Sequence, residues 1–140
     1  MQSDPSKNLE LIQRWIEAHN RDDIEAELDC WDDDAEMTIV PTGMTYKGKA
    51  ALRETAKMAV KSKGRKVITH IFAGDEWVCA EYTAYATIHG PMNAHGIVIP
   101  AGISKNTQLK VCFLANIREG KIVLSREYWD TGSMTKQLQG

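Results

Sequence analysis

Residues 77–89 read Trp-Val-Cys-Ala-Glu-Tyr-Thr-Ala-Tyr-Ala-Thr-Ile-His. The even positions, Val78, Ala80, Tyr82, Ala84, Ala86 and Ile88, are nearly all apolar. The odd positions, Trp77, Cys79, Glu81, Thr83, Tyr85, Thr87 and His89, are mixed. Strand side chains alternate between two faces, so this period of two predicts one long strand with its even face toward a core. Gly74-Asp75 predicts a turn back to a strand over 66–72. Downstream, residues 107–118 and 121–130 predict two more strands, joined by the two-residue hairpin turn Glu119-Gly120.

Upstream the period changes. Leu9, Ile12, Trp15, Ile16 and His19 fall on one stripe at helical spacing and predict a helix over 8–20. Asp22 or Asp23 suits the N-cap of a second helix, which would align Ile24, Leu28 and Trp31. Residues 35–40 predict a short strand ended by Pro41-Thr42-Gly43. Gly48 opens a third helix with Leu52, Thr55, Ala56 and Ala59 inward, and Lys63-Gly64 ends it. Gly132 ends the body and leaves a short polar tail. Helices followed by a run of long antiparallel strands is an α+β pattern. The expected architecture is three helices on the concave face of a strongly curved, mostly antiparallel sheet, in a single domain over 1–140.

The composition narrows the function. Of 140 residues, 43% are hydrophobic and 26% charged, with a net charge of −2. That balance builds a core and supplies no basic field, which argues against a nucleic-acid partner. No apolar run approaches a membrane span, and the N-terminus carries acid before any apolar stretch, so a cytoplasmic location is expected. Cys30, Cys79 and Cys112 are widely spaced without a CxxC, which predicts three buried, reduced thiols and neither a zinc site nor disulfides. No GxGxxG follows a strand, so no nucleotide cofactor is expected. Residues 22–36 hold nine acids and no base, without calcium-loop spacing, and read as a solvated acidic face.

Several local strings, in this order, resemble the NTF2-like superfamily in its SnoaL-like branch. They are Trp15-Ile16-Glu17-Ala18-His19-Asn20 running into Asp22-Asp23-Ile24, Trp31-Asp32-Asp33-Asp34-Ala35, and Tyr46-Lys47-Gly48-Lys49-Ala50-Ala51-Leu52-Arg53. The hairpin Arg118-Glu119-Gly120-Lys121-Ile122 and the string Arg126-Glu127-Tyr128-Trp129-Asp130 complete the set. The resemblance implies a cone-shaped α+β barrel with an internal pocket. It also shows which family chemistries lack residues here. Positions that carry polar groups in steroid-isomerase-like members correspond to Trp15, Val40 and Phe113. The water-activating set of limonene-epoxide-hydrolase-like members falls on Met37, Ile39, Tyr82 and Ala84, with a carboxylate kept only at Glu127. Polyketide-cyclase-like members also keep a carboxylate at the Glu127 position, and their histidine corresponds to Phe113.

Glu127 is therefore the candidate catalytic residue. A carboxylate facing an apolar cavity loses hydration and becomes useful as an acid or base near neutrality. Tyr82, on the inward face of the long strand, is the second catalytic candidate, and Ala84 and Ala86 leave volume for a ligand. Trp129 shares the face of Glu127. Trp15, Tyr46 and Phe113 complete the expected substrate-binding set. Asp130 falls on the other face, and His70, His89 and His95 are expected to be structural. The greasy segment Gly90–Lys105 is expected either to cover the pocket or to pack on a second subunit, and outward Trp77 and Tyr85 favour a homodimer. The resemblance implies a cofactor-free isomerase, cyclase or hydrolase acting on a small apolar oxygenated molecule, with no metal. The alternatives are a small-molecule-binding domain without chemistry and an interaction module with a filled cavity.

Overall fold

The computed structural model describes residues 4–139. Helix α1 (Pro5–Asn20) begins three residues earlier than the apolar stripe indicates. Pro5 sits in its first turn with its φ already helical, and Asp4 caps the end by accepting from Ser6 N at 2.9 Å. Its inner face is Leu11, Ile12, Trp15, Ile16 and His19, and Leu9 is only half-buried. Helix α2 (Ile24–Asp29) starts at Asp23, whose carboxylate accepts from Ala26 N at 3.1 Å. It stops before Trp31, which instead opens strand β1 (Trp31–Ile39).

A turn leads to the short strand β2 (Met44–Lys47), which the sequence pattern does not mark, and then to helix α3 (Gly48–Lys61). The long strands follow as β3 (Arg65–Ala73) and β4 (Trp77–His89). A small hairpin, β5 (Met92–Ala94) and β6 (Ile97–Ile99), precedes β7 (Ser104–Arg118) and β8 (Lys121–Tyr128). Glu119 and Gly120 both have positive φ, 50° and 74°, as a two-residue hairpin turn matched to strand twist requires.

Six strands form one sheet in the order β2-β1-β8-β7-β4-β3, and only β1 and β8 run parallel. Irregularities in the β1/β8, β3/β4 and β7/β8 registers bend it. The irregularity between Ile68 and His70 lets both Ile68 and Ile71 face inward on β3. Helices α1, α2 and α3 fill the concave side. Trp15 stacks on Phe113 with ring centroids 4.7 Å apart, and Trp31 meets Trp15 edge-on at 5.7 Å. These rings anchor the core between α1, β1 and β7.

The expected polar tail is instead helix α4 (Thr131–Gln139). Asp130 caps it, accepting from Gly132 N at 2.9 Å, and Met134 is buried. β8 ends at Tyr128, opposite Cys112, so the backbone of β7 beyond that point lacks a strand on one edge. The Gln137 amide fills that gap, receiving Gln108 N and donating to Gln108 O, both at 2.8 Å.

Of the thiols, only Cys30 is buried. Cys79 and Cys112 lie on the outer face with sulfurs 3.7 Å apart. Both face away from the core because odd positions of β4 and their even neighbours on β7 point outward. No described helix is long and apolar enough to cross a membrane.

Candidate functional site

One row of side chains crosses the concave face from β1 to β3: Ile39, Glu127, Phe113, Ala80 and Ile71. Glu127 is the charged member of an otherwise apolar row. It lies on the inner face because Ser125 and Glu127 continue the alternation from buried Ile122 across the β7/β8 irregularity. It makes no ion pair with Arg118, Arg126 or any other described residue. Trp129 donates its indole N–H to Glu127 Oε2 at 2.9 Å.

Above this row lies a cavity of about 140 Å³, and beneath the helices an inner lobe of about 60 Å³. Glu127, Lys66, His95 and His19 line both. Ala84, Ala86, Leu109, Val111, Trp129 and Met134 supply apolar wall to the outer lobe. The alanines create the space, since a larger residue on the even face of β4 would fill it.

The structure brings Glu127, Tyr82, Ala84, Ala86 and Trp129 together around the outer lobe. Trp15 borders only the inner lobe. Phe113 does not line the cavity, contrary to expectation; it is fully buried beneath Trp15. Tyr46 also falls outside the walls, but its hydroxyl lies 3.1 Å from His95 Nδ1. Asp130 is exposed and serves its helix.

The segment Gly90–Lys105 covers the cavity. Met92, Ala94, His95 and Ile97 of the β5/β6 hairpin form its roof. The hairpin is latched to the turn after β1, where Thr42 Oγ1 donates to His95 O at 2.6 Å. Gly96 permits this approach, since a Cβ there would sit 2.7 Å from the Thr42 side chain.

His95 thus lines the cavity, a placement the sequence reading did not expect. Its signal lies in a long-range contact with Tyr46, which local sequence cannot show. His70 and His89 remain at the surface, beside Glu81 Oε1 at 3.0 Å and Ser104 Oγ at 2.9 Å. Sequence reasoning also passes over Lys66. It pairs with Ala84 across β3 and β4, which puts it on the inner face. The residue as a whole is half-buried, and its ammonium lies over the Trp15 and Tyr82 rings at 4.9 and 5.6 Å. The alternation of β4, extended to its neighbour, is the signal that could have found it.

The electrostatics follow from this burial. Burial holds the Lys66 amine below its ordinary pKa, opposed by Glu127 and Glu27. Burial likewise lowers the His95 imidazole, opposed by Glu127 and aided by Lys66. The Tyr82 phenol is pushed well above its usual range, first by burial and then by the facing Glu127 carboxylate. The Tyr46 phenol is raised by the same two causes in the same order. At neutral pH the phenols are donors, and the imidazole of His95 is neutral. The Glu127 carboxylate, the Tyr82 phenol, the His95 imidazole and the Lys66 amine line the cavity and can move protons on a bound molecule, whereas Tyr46 reaches it only through His95. No group of three or more metal-ligating side chains is placed to hold an ion among the described residues.

Residues 12–125 match a family described as a SnoaL-like domain. Among solved structures, the chain is similar to a protein from Xanthomonas campestris pv. campestris assigned as a polyketide cyclase. Their TM-score is 0.79 at 22% identity, over 96% of this chain and 98% of that one. An LEH-like epoxide hydrolase of M. tuberculosis gives 0.76 at 19%, over 96% and 91%. SalBIII, an epoxide hydrolase/cyclase-like enzyme of pyran ring formation in the polyether salinomycin, gives 0.74 at 18%, over 91% and 93%. At these identities the likeness establishes a shared fold. No curated protein matches the chain.

Proposed function

The chain belongs to the family of SnoaL-like domains, and from that premise we propose that it is a small-molecule enzyme working by acid/base chemistry. Glu127 takes or gives a proton on an apolar, oxygenated substrate. Tyr82 donates to a substrate oxygen, and His95 is the second proton-transfer group. The reaction class is isomerisation, cyclisation or hydrolysis, and none of these steps needs a cofactor.

One observation carries this reading: Glu127 shares its cavity with other titratable groups. A domain that only binds needs no such company, and a filled interior would have pointed to an interaction module. Cavity size bounds the substrate. An apolar protein cavity of about 150 Å³ holds a benzene molecule. The outer lobe, at about 140 Å³, is of that size, and the inner lobe adds about 60 Å³. A single ring with a few substituent atoms fits.

The test is proton exchange. Monocyclic ketones and enones are incubated in D₂O, and monocyclic epoxides in water, and both are followed by NMR. Glu127→Gln should slow the reaction by about 10²- to 10⁴-fold with an unchanged melting temperature. An active wild type whose Glu127→Gln variant is equally fast overturns the assignment. Binding without any turnover over the panel would favour the ligand-binding reading.

The convex sheet face leaves Val67, Phe72, Trp77 and Tyr85 exposed. These four apolar side chains on one face support the homodimer reading, with a second copy as their cover. Native mass spectrometry showing only monomer at micromolar concentration would remove it.

A further inference from the structure

Around the inner lobe, three polar side chains from three different elements meet. Glu27 stands in the acidic stretch expected to be solvated, yet it is buried, at 6% exposure. His19 on α1 is equally buried, and its Nδ1 lies 3.4 Å from Glu27 Oε1. Lys66 Nζ lies 3.2 Å from Nδ1 and 3.4 Å from Nε2 of the same ring. All three line the inner lobe.

A carboxylate only accepts, so a proton on Nδ1 satisfies Glu27 and leaves Nε2 as the acceptor for the amine. Burial keeps this imidazole below its ordinary pKa, with Lys66 adding to the effect and Glu27 opposing it. It is therefore neutral and able to take a proton. The pattern of nucleophile, base and orienting carboxylate is the one that activates weak nucleophiles elsewhere.

Lys66 is unlike a structural ion-pair lysine. It has no carboxylate within 4.0 Å among the described residues. Its head instead meets a neutral ring and two aromatic faces, and it borders both lobes, so a ligand in either reaches it. Its position is also fixed. The Asn20 amide donates to Lys66 O at 2.7 Å and accepts from Lys66 N at 2.8 Å, pairing with the open edge of β3 as a strand would.

We propose that Glu27, His19 and Lys66 form a nucleophilic relay, and that Lys66 condenses with a small aldehyde or ketone held in the cavity. His19 Nε2 takes a proton from the Lys66 ammonium, the freed Nζ lone pair attacks the carbonyl carbon, and the nitrogen then gives a second proton to the carbonyl oxygen. A second protonation of that oxygen expels water and leaves a protonated imine. In balance, one amine, one carbonyl and one proton give one protonated imine and one water, with no oxidant or reductant. The Trp15 and Tyr82 faces hold the positive charge of the product. The imine then acidifies the adjacent C–H. The inference deepens the proposed function by naming carbonyl compounds as the substrate class, and it rests on that reading for the cavity alone.

The test is reductive trapping on the intact chain. Benzaldehyde and sodium cyanoborohydride are added at neutral pH, and lysine adducts are mapped by peptide mass spectrometry. Lys66 should be labelled at least ~10-fold faster than exposed Lys47 and Lys57, as burial of the amine predicts. Glu27→Gln and His19→Gln should each slow Lys66 labelling about 10-fold and leave Lys47 and Lys57 unchanged. If either variant fails to fold, the wild-type ratio still decides. Lys66 labelled no faster than the surface lysines overturns the proposal. Toluene, which fits the cavity and has no carbonyl, separates the two failures. Tryptophan fluorescence that responds to toluene while Lys66 stays unlabelled defeats the relay and leaves the cavity reading standing. No response to toluene together with no labelling defeats both.

Discussion

The indole of Trp129 fixes one oxygen of Glu127, two residues earlier in the chain, through a hydrogen bond of 2.9 Å. The Tyr82 phenol also hydrogen-bonds this carboxylate. In the proposed mechanism Trp129 is a positioning residue: it sets the direction of the carboxylate through this hydrogen bond. Hydrogen bonds to charged groups contribute roughly 1.5–3 kcal/mol. Trp129→Phe keeps the ring and removes the donor. It should lower the rate of substrate deuterium exchange by about 10-fold or more while KM changes little. A large rise in KM at constant rate would mean the indole serves as wall alone.

Ala86 lines the outer lobe opposite the helices and pairs with Thr107 across β4 and β7. Ala86→Leu extends an apolar side chain into existing empty space instead of into packed atoms, so overpacking strain is small. The melting temperature should stay within about 3 °C of wild type, less than 1 kcal/mol for a chain this long. Toluene binding, read by tryptophan fluorescence, should weaken at least ~10-fold. Undiminished binding would show that the ligand enters elsewhere.

Much of this arrangement could be read from the sequence, and the missing parts share a cause. The even face of 77–89 is legible because alternation is local, and it carries Tyr82, Ala84 and Ala86 into the cavity together. Glu127 follows from the same rule, applied two strands away with the help of the family resemblance. Lys66 is not legible by that route, because a lysine at the start of a strand reads as solvated until its pairing with Ala84 is known. Glu27 hides among acids that do face water. His95 depends on a latch to Thr42 and Tyr46, some fifty residues away in the chain. The last helix escaped because its buried contact is one residue, Met134, and its anchor is an amide that fills a gap in strand pairing. Local periodicity locates walls; polar groups recruited by tertiary contacts lie beyond its reach.

Asn20 gives a direct test of one such contact. Its amide closes two hydrogen bonds with the Lys66 backbone at an open sheet edge. Asn20→Ala removes both and exposes the freed groups to partial burial, so a loss of about 2 kcal/mol is expected. Urea denaturation should show a lower midpoint with an unchanged slope. An unchanged midpoint would mean that water replaces the amide without cost, and that β3 needs no clamp to hold Lys66.

The two cavity histidines are expected to contribute to the acid response of the fold. Burial is the largest cause holding each below the ordinary value of 6.5, aided by Lys66 at both and by Arg65 at His19. Glu27 opposes at His19, and Glu127 opposes at His95. For a base whose pKa is depressed in the folded state, the unfolded chain binds the extra proton first. Stability from these rings is therefore complete above pH 6.5 and is lost as pH falls through that value toward each folded pKa. The upper edge of this window, at pH 6.5, lies above the ordinary carboxylate range, so the loss begins before carboxylates titrate. Between pH 7 and pH 5.5 the melting temperature should fall by about 2–5 °C, where roughly 1 kcal/mol corresponds to a few degrees. His95→Gln, which cannot take up a proton, should flatten that slope, whatever it does to the absolute melting temperature. A slope in His95→Gln as steep as in wild type would place the acid sensitivity outside the cavity roof.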